Sequence, residues 1–162
     1  MSGITWIEID LDAIEHNLKA VKKKVGNDTK ILAIVKADAY GHGAARISQT
    51  LMDNGVDMLG VAFPEEGIEL RESNINIPIL VLNPVLSEQT EDVLKYSMGA
   101  TVCNLDIARE LAKTAKRHSR NIRIHVEVDT GMGGAGLPPD KTLSFIKALQ
   151  LIENLEIEGV FT

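Results

Sequence analysis

Strands and helices alternate along this chain, which predicts an α/β protein built on a parallel sheet. Two observations carry that prediction. Apolar runs begin at residues 31, 58, 79, 100, 122 and 155, about 21 to 33 residues apart, the size of one strand–helix unit. Between them lie segments with helix start and stop signals, such as Asn54-Gly55, Pro64-Glu65-Glu66 and Asn104.

Taken in order, Ile4 to Asp10 alternates apolar and polar residues and predicts a half-exposed strand ahead of the main repeat. Asp10 offers a side-chain cap to a helix whose apolar positions are Leu11, Ile14, Leu18, Val21 and Val25, ended by Gly26-Asn27-Asp28. Ile31 to Val35 reads as a strand buried on both faces. A helix from about Ala44 to Met52 leads to a strand at Met58–Phe63, and Pro64 opens the next helix with acids at its positive end. Pro78 introduces the strand Ile79–Leu82, and Ser87 caps a helix running to Met98. Ala100–Cys103 is a short strand, Asn104 caps Leu105–His118, and Ile122–Val128 is a strand. A helix over Pro138–Ile152 and a strand over Leu155–Phe161 complete the pattern.

Six such strands fit a doubly wound open sheet or part of an eight-stranded barrel, and periodicity does not separate the two. A dinucleotide-binding sheet calls for G-x-G-x-x-G after its first strand, which Ala37–Gly43 does not match. The last four residues, Gly159 to Thr162, fall within or at the tip of a strand, so the expectation is an open sheet or a fragment of a closed one.

A net charge of −6 argues against nucleic acid or an anionic membrane as partner. The lone cysteine, Cys103, allows no disulfide within the chain and reads as a buried structural thiol, consistent with a reducing compartment. No signal-peptide pattern and no membrane-length apolar run is visible, so the expected location is cytoplasmic.

Two loops following strands hold residues suited to chemistry. In the first, Lys36 stands at the lip of an apolar strand, with Asp38, Tyr40 and His42 just after it. Desolvation there disfavours the charged amine and makes it available as a nucleophile or Schiff-base partner; the alternative is a lysine that merely marks where the strand meets water. The second, Val128–Leu137, has four glycines in ten residues. Glycine permits positive φ and close approach of a ligand, although a simple turn gives the same composition.

Val35–Gly43, VKADAYGHG, resembles the cofactor-lysine signature of the alanine racemases. Trp6–Leu11, His16-Asn17, Pro78–Pro84 (PILVLNP) and Val128–Gly133 (VDTGMG) are similar to that family as well, so the likeness runs along the whole chain. The resemblance implies a TIM-type (β/α) barrel, incomplete at about six of eight strands, over residues 31–162. Residues 1–30 would form the extra N-terminal strand and the helix leading into it. The strand would belong with a C-terminal β-domain that is absent here. It implies pyridoxal 5′-phosphate (PLP) as cofactor, a small amino acid as substrate, and the interconversion that supplies D-alanine for cell-wall synthesis. Lys36 would be the Schiff-base residue and one of two bases, Tyr40 would lie near the cofactor phosphate, and His42 would either organise the loop or join the site. Glu127, Met132 and Gly134 would form the substrate-side loop. A histidine after the last strand, an arginine facing the pyridine nitrogen and an opposing tyrosine base from the partner subunit of a homodimer would lie beyond Thr162.

Two positions depart from the family pattern. Glu127 stands where a carbamylated lysine is common, and Gly134 where an arginine pairs with that carbamate and helps bind the substrate carboxylate. Losing one such charge-assisted contact costs about 1.5–3 kcal/mol. Two other readings therefore stand beside the racemase: a non-catalytic PLP-binding barrel, against which the Tyr40–Gly43 run speaks, and a degenerate relative. No H-E-x-x-H or paired-cysteine metal pattern is present, so no metal is expected.

Overall fold

Asp10 begins the regular structure of the computed structural model, which describes residues 5–162. Its carboxylate accepts the Ala13 N–H at 3.0 Å and caps helix α1 (Leu11–Val25). Leu11, Ile14 and Leu18, three and four residues apart, turn one stripe of α1 onto the core. From its other end Lys22 Nζ donates to the carbonyls of Asn54 and Gly55 at 2.8 and 2.6 Å, which fixes α1 to the chain ahead of the second strand.

Strands β1 (Leu32–Ile34), β2 (Met58–Val61), β3 (Ile79–Pro84), β4 (Gly99–Val102), β5 (Ile122–Glu127) and β6 (Leu155–Phe161) form one sheet, side by side in chain order and all parallel. Register shifts interrupt the β3–β4 and β5–β6 ladders. The crossovers are a short turn α2 (Lys36–Gly41) and the helices α3 (Ala44–Asp53), α4 (Pro64–Glu72), α5 (Thr90–Lys95), α6 (Leu105–Arg117) and α7 (Pro139–Leu149).

One core, on one face of the sheet, decides between the two candidate folds. Ile122, Ile124 and Val126 alternate along β5 into a cluster with Leu111 and Ala115 of α6, and the same cluster takes in Ile47 of α3, Leu70 of α4, Val93 of α5 and Leu149 of α7. A doubly wound sheet needs such a core on each face. The opposite face instead carries Arg123, His125 and Glu127 on β5, with His125 Nε2 3.1 Å from Glu158 on β6. Where β1, β2 and β3 meet, a Cβ on Gly60 would fall within 3.3 Å of Leu32, Ile34 and Leu82, so their side chains fill this concave side. The sheet is an arc of a (β/α) barrel that six strands leave open, with β1 and β6 at its edges.

Three expectations are corrected. Ile4 lies outside the described residues, and Thr5 to Asp10 form no strand. Alternation signals which side of a strand is apolar, but a strand also needs a ladder partner, and Trp6 and Ile7 are 72% and 76% exposed. Ser87 caps no long helix: a 3-10 turn (Ser87–Gln89) precedes a short α5, and the Gln89 side chain accepts the Leu86 N–H at 2.9 Å instead. The third is the strand read as buried on both faces: β1 spans only Leu32–Ile34, and Ile34 is 37% exposed because β1 lies at the open edge of the sheet.

The two ends of the strands are built differently. At the N-terminal end the half-buried Arg71 donates to the carbonyls of Ile75, Ile77 and Tyr96 at 2.6, 2.8 and 3.0 Å, so its guanidinium serves to tie loops together. The C-terminal end carries both loops singled out in the sequence.

Candidate active site

Val35 is buried and still bonded to the sheet, its N–H donated to the Gly60 carbonyl at 2.8 Å. Lys36 follows, half-buried, at the C-terminal end of β1. The chain then does what the sequence gives no sign of: Ala37, Asp38, Ala39 and Tyr40 all take left-handed helical angles, with φ of 51° to 55° and ψ of 37° to 52°. Left-handed geometry costs a non-glycine residue about 1–2 kcal/mol, and such residues normally occur singly. Four in a row persist only where the surroundings over-determine them.

The surroundings do so through backbone bonds and two carboxylates. Ala39 N–H donates to the Val35 carbonyl at 2.9 Å, and Gly43 N–H to the Asp38 carbonyl at 3.0 Å. The Asp38 side chain accepts the Ala44 N–H at 2.6 Å and so binds the turn to the start of α3. His42 Nδ1–H donates to the Ala39 carbonyl at 2.9 Å, a contact that organises the loop. Glu66, in the first turn of α4, accepts Ala37 N–H on Oε1 at 2.7 Å and Ala62 and Phe63 N–H on Oε2 at 2.5 and 3.2 Å. In the sequence Glu66 reads only as an acid at a helix start. Its position three residues after Phe63 is the spacing of a capping box, and that was the available signal. The buried methyl of Ala39 anchors the turn in the core, while Tyr40 is 61% exposed.

The second loop follows β5. Glu127 ends that strand, and Asp129 accepts the N–H groups of Gly131 and Gly133, both at 2.9 Å. Those two bonds hold the Asp129 carboxyl below the usual carboxylate range. Gly131 and Gly133 take the positive φ angles here, at 130° and 76°. Gly136 is needed for closeness, since a Cβ there would fall 2.6 Å from the Asp129 nitrogen. Burial, with a smaller contribution from Asp129, pushes the Glu127 carboxyl up. Burial also raises the Cys103 thiol, with Glu127 adding to it; Cys103 is half-buried rather than fully enclosed. A Cβ on Gly134 would stand 3.5 Å from Glu127 Oε1, so a side chain at position 134 would lie in contact with that carboxylate. Met132, 97% exposed, projects from the loop tip.

The named residues thus form two groups at one end of the sheet, four strands apart. Lys36 and Tyr40 share the turn after β1; Glu127, Met132 and Gly134 share the β5 loop.

Comparison with known proteins gives a uniform result. The family model described as alanine racemase, N-terminal domain, matches residues 9–162. The alanine racemase of Halothermothrix orenii is 42% identical over 158 residues, which are 98% of this chain and 42% of that protein. That of Methanococcus maripaludis is 39% identical over 97% of this chain and 42% of its own length. Among solved structures, alanine racemase from Clostridium difficile 630 in complex with cycloserine superposes with a TM-score of 0.95 at 38% identity, covering all of this chain and 45% of that one. The Bacillus anthracis enzyme with bound L-Ala-P gives 0.88 at 34% identity, over 99% of this chain and 42% of that one. The chain therefore spans less than half the length of the relatives it matches.

Proposed function

The chain belongs to the alanine racemase N-terminal domain family, and from that premise we propose that the complete protein is a PLP-dependent racemase interconverting L- and D-alanine, with this chain supplying the lysine side of its site. The observation that carries the reading is the placement of Lys36: half-buried at the C-terminal end of a barrel strand, on a turn locked by Glu66 and Asp38. Barrel enzymes gather their chemistry at that end. The donor set suits the cofactor, with a primary amine able to condense with an aldehyde and, four residues on, the exposed Tyr40 phenol able to donate to a phosphate oxygen.

When bound, PLP supplies an electron sink for negative charge developing at the substrate α-carbon. Lys36 Nζ would take or return the α-proton on one face, and its attachment to a locked turn limits the positions that amine can adopt. Tyr40 Oη would help hold the phosphate. Glu127 places a carboxylate beside the substrate loop, and Gly134, having no side chain, offers no cation there to offset it. The base for the other face comes, in this reading, from the partner subunit of a cytoplasmic homodimer. The barrel-closing strands and a β-rich domain complete the site.

The test is to incubate the complete protein with PLP and L-alanine in deuterated water. The expected product is D-alanine carrying deuterium at the α-carbon. Cofactor binding without that product would establish a PLP-binding barrel in place of the racemase, and neither binding nor product a degenerate relative.

A further inference from the structure

We propose that Glu66 is the positioning residue of the site, the group through which the second strand–helix unit fixes the turn bearing Lys36. This rests on the reading of Lys36 as the cofactor lysine. Glu66 belongs to α4, twenty-nine residues beyond Ala37, yet its carboxylate accepts the Ala37 N–H, directly after the lysine. Its second oxygen takes the N–H groups of Ala62 and Phe63, which follow β2. One carboxylate therefore joins the C-terminal ends of two neighbouring strands through three backbone donors. The bond falls on the first residue of the left-handed run, where released angles would relax toward the ordinary regions and swing Lys36 away from its place. Glu65, its neighbour in sequence, has no such role: it is exposed and, among the described residues, accepts only from the Gln89 side chain, at 3.0 Å. Glutamine at position 66 keeps one acceptor oxygen but replaces the other with a donor, which faces either Ala37 N–H or the Ala62 and Phe63 pair.

The experiment compares the complete wild-type protein with Glu66→Gln and Glu65→Gln, each below its melting temperature. It reads amide hydrogen exchange at Ala37–Tyr40, PLP affinity by absorbance titration, and kcat for alanine at saturating cofactor. For Glu66→Gln the expected result is faster exchange at Ala37 and PLP binding weakened about tenfold or more, with kcat lowered; Glu65→Gln should match wild type. A purely structural Glu66 would lower the melting point and leave affinity and kcat unchanged, which would overturn the proposal. If Glu66→Gln does not fold, the wild-type protein decides: an Ala37 amide exchanging as fast as an open loop refutes the clamp, and one as protected as Val35 upholds it. Wild-type protein that takes up no PLP on Lys36 would instead count against the racemase reading, a separate outcome.

Discussion

The turn after β1 and the loop after β5 leave the same end of the sheet, and both need backbone with positive φ. They reach it by opposite means. In the β5 loop the positive angles fall on Gly131 and Gly133, where they cost little, and Asp129 gathers the two N–H groups locally. After β1 they fall on Ala37, Asp38, Ala39 and Tyr40, and the geometry is held from outside by Glu66 and Asp38. A loop that achieves its shape with glycine keeps freedom to move. A turn that imposes the shape on alanine and tyrosine gives it up, and what it gains is a fixed lysine. In the proposed reading, the contrast assigns the rigid element to the cofactor lysine and the adaptable one to the substrate side.

The comparison breaks first at Gly136. A Cβ there meets the Asp129 nitrogen at 2.6 Å and the Val128 carbonyl carbon at 2.8 Å. Gly136→Ala should therefore cost about 1–3 kcal/mol, read as a lower thermal midpoint, because backbone has less freedom to yield than a side-chain tip. A sharper test exchanges the residue types of the two regions. Gly133→Ala should destabilise by about 1 kcal/mol, while Ala37→Gly should stabilise by about as much, since each moves strain into or out of left-handed backbone. Denaturant midpoints of the two variants moving in the same direction would contradict the contrast.

The smallest effect concerns Glu127. Its folded carboxyl sits above the usual range because of burial, then Asp129. The folded state thus binds its proton more tightly than the unfolded chain does. The stability this brings is present at acid pH and is lost as pH rises through the folded value. Glu127→Gln should therefore raise the melting point slightly, by less than about 3 °C, at pH 7, and the gain should vanish near pH 4 and below. Gly134→Arg should bring the Glu127 carboxyl back to or below the ordinary range by placing a cation beside it, which a carbon-detected NMR titration would follow.

How far the sequence revealed this molecule depends on how local each signal is. The six strands and most helices were legible because runs such as Ile79–Leu82 and caps such as Asn104 act within a few residues. The direction of the sheet's curvature was not, since it depends on which strand face meets the helices. The proposed N-terminal strand misled because alternation at Trp6 and Ile7 describes a surface, not a ladder partner. Lys36 and Tyr40 could be located at a strand end from their neighbours. The left-handed turn between them could not: of its residues only Asp38 tolerates such angles readily, and one of the groups that hold it, Glu66, lies on another unit of the repeat. The closeness of position 134 to Glu127 was visible only as a missing arginine, and its geometry required the folded loop.

The most direct test of the central claim is chemical. The complete protein, loaded with PLP and reduced with borohydride, is digested and its modified peptide sequenced. The label should fall on Lys36 alone and disappear in Lys36→Ala. Label on another lysine, or label that survives that substitution, would contradict the account.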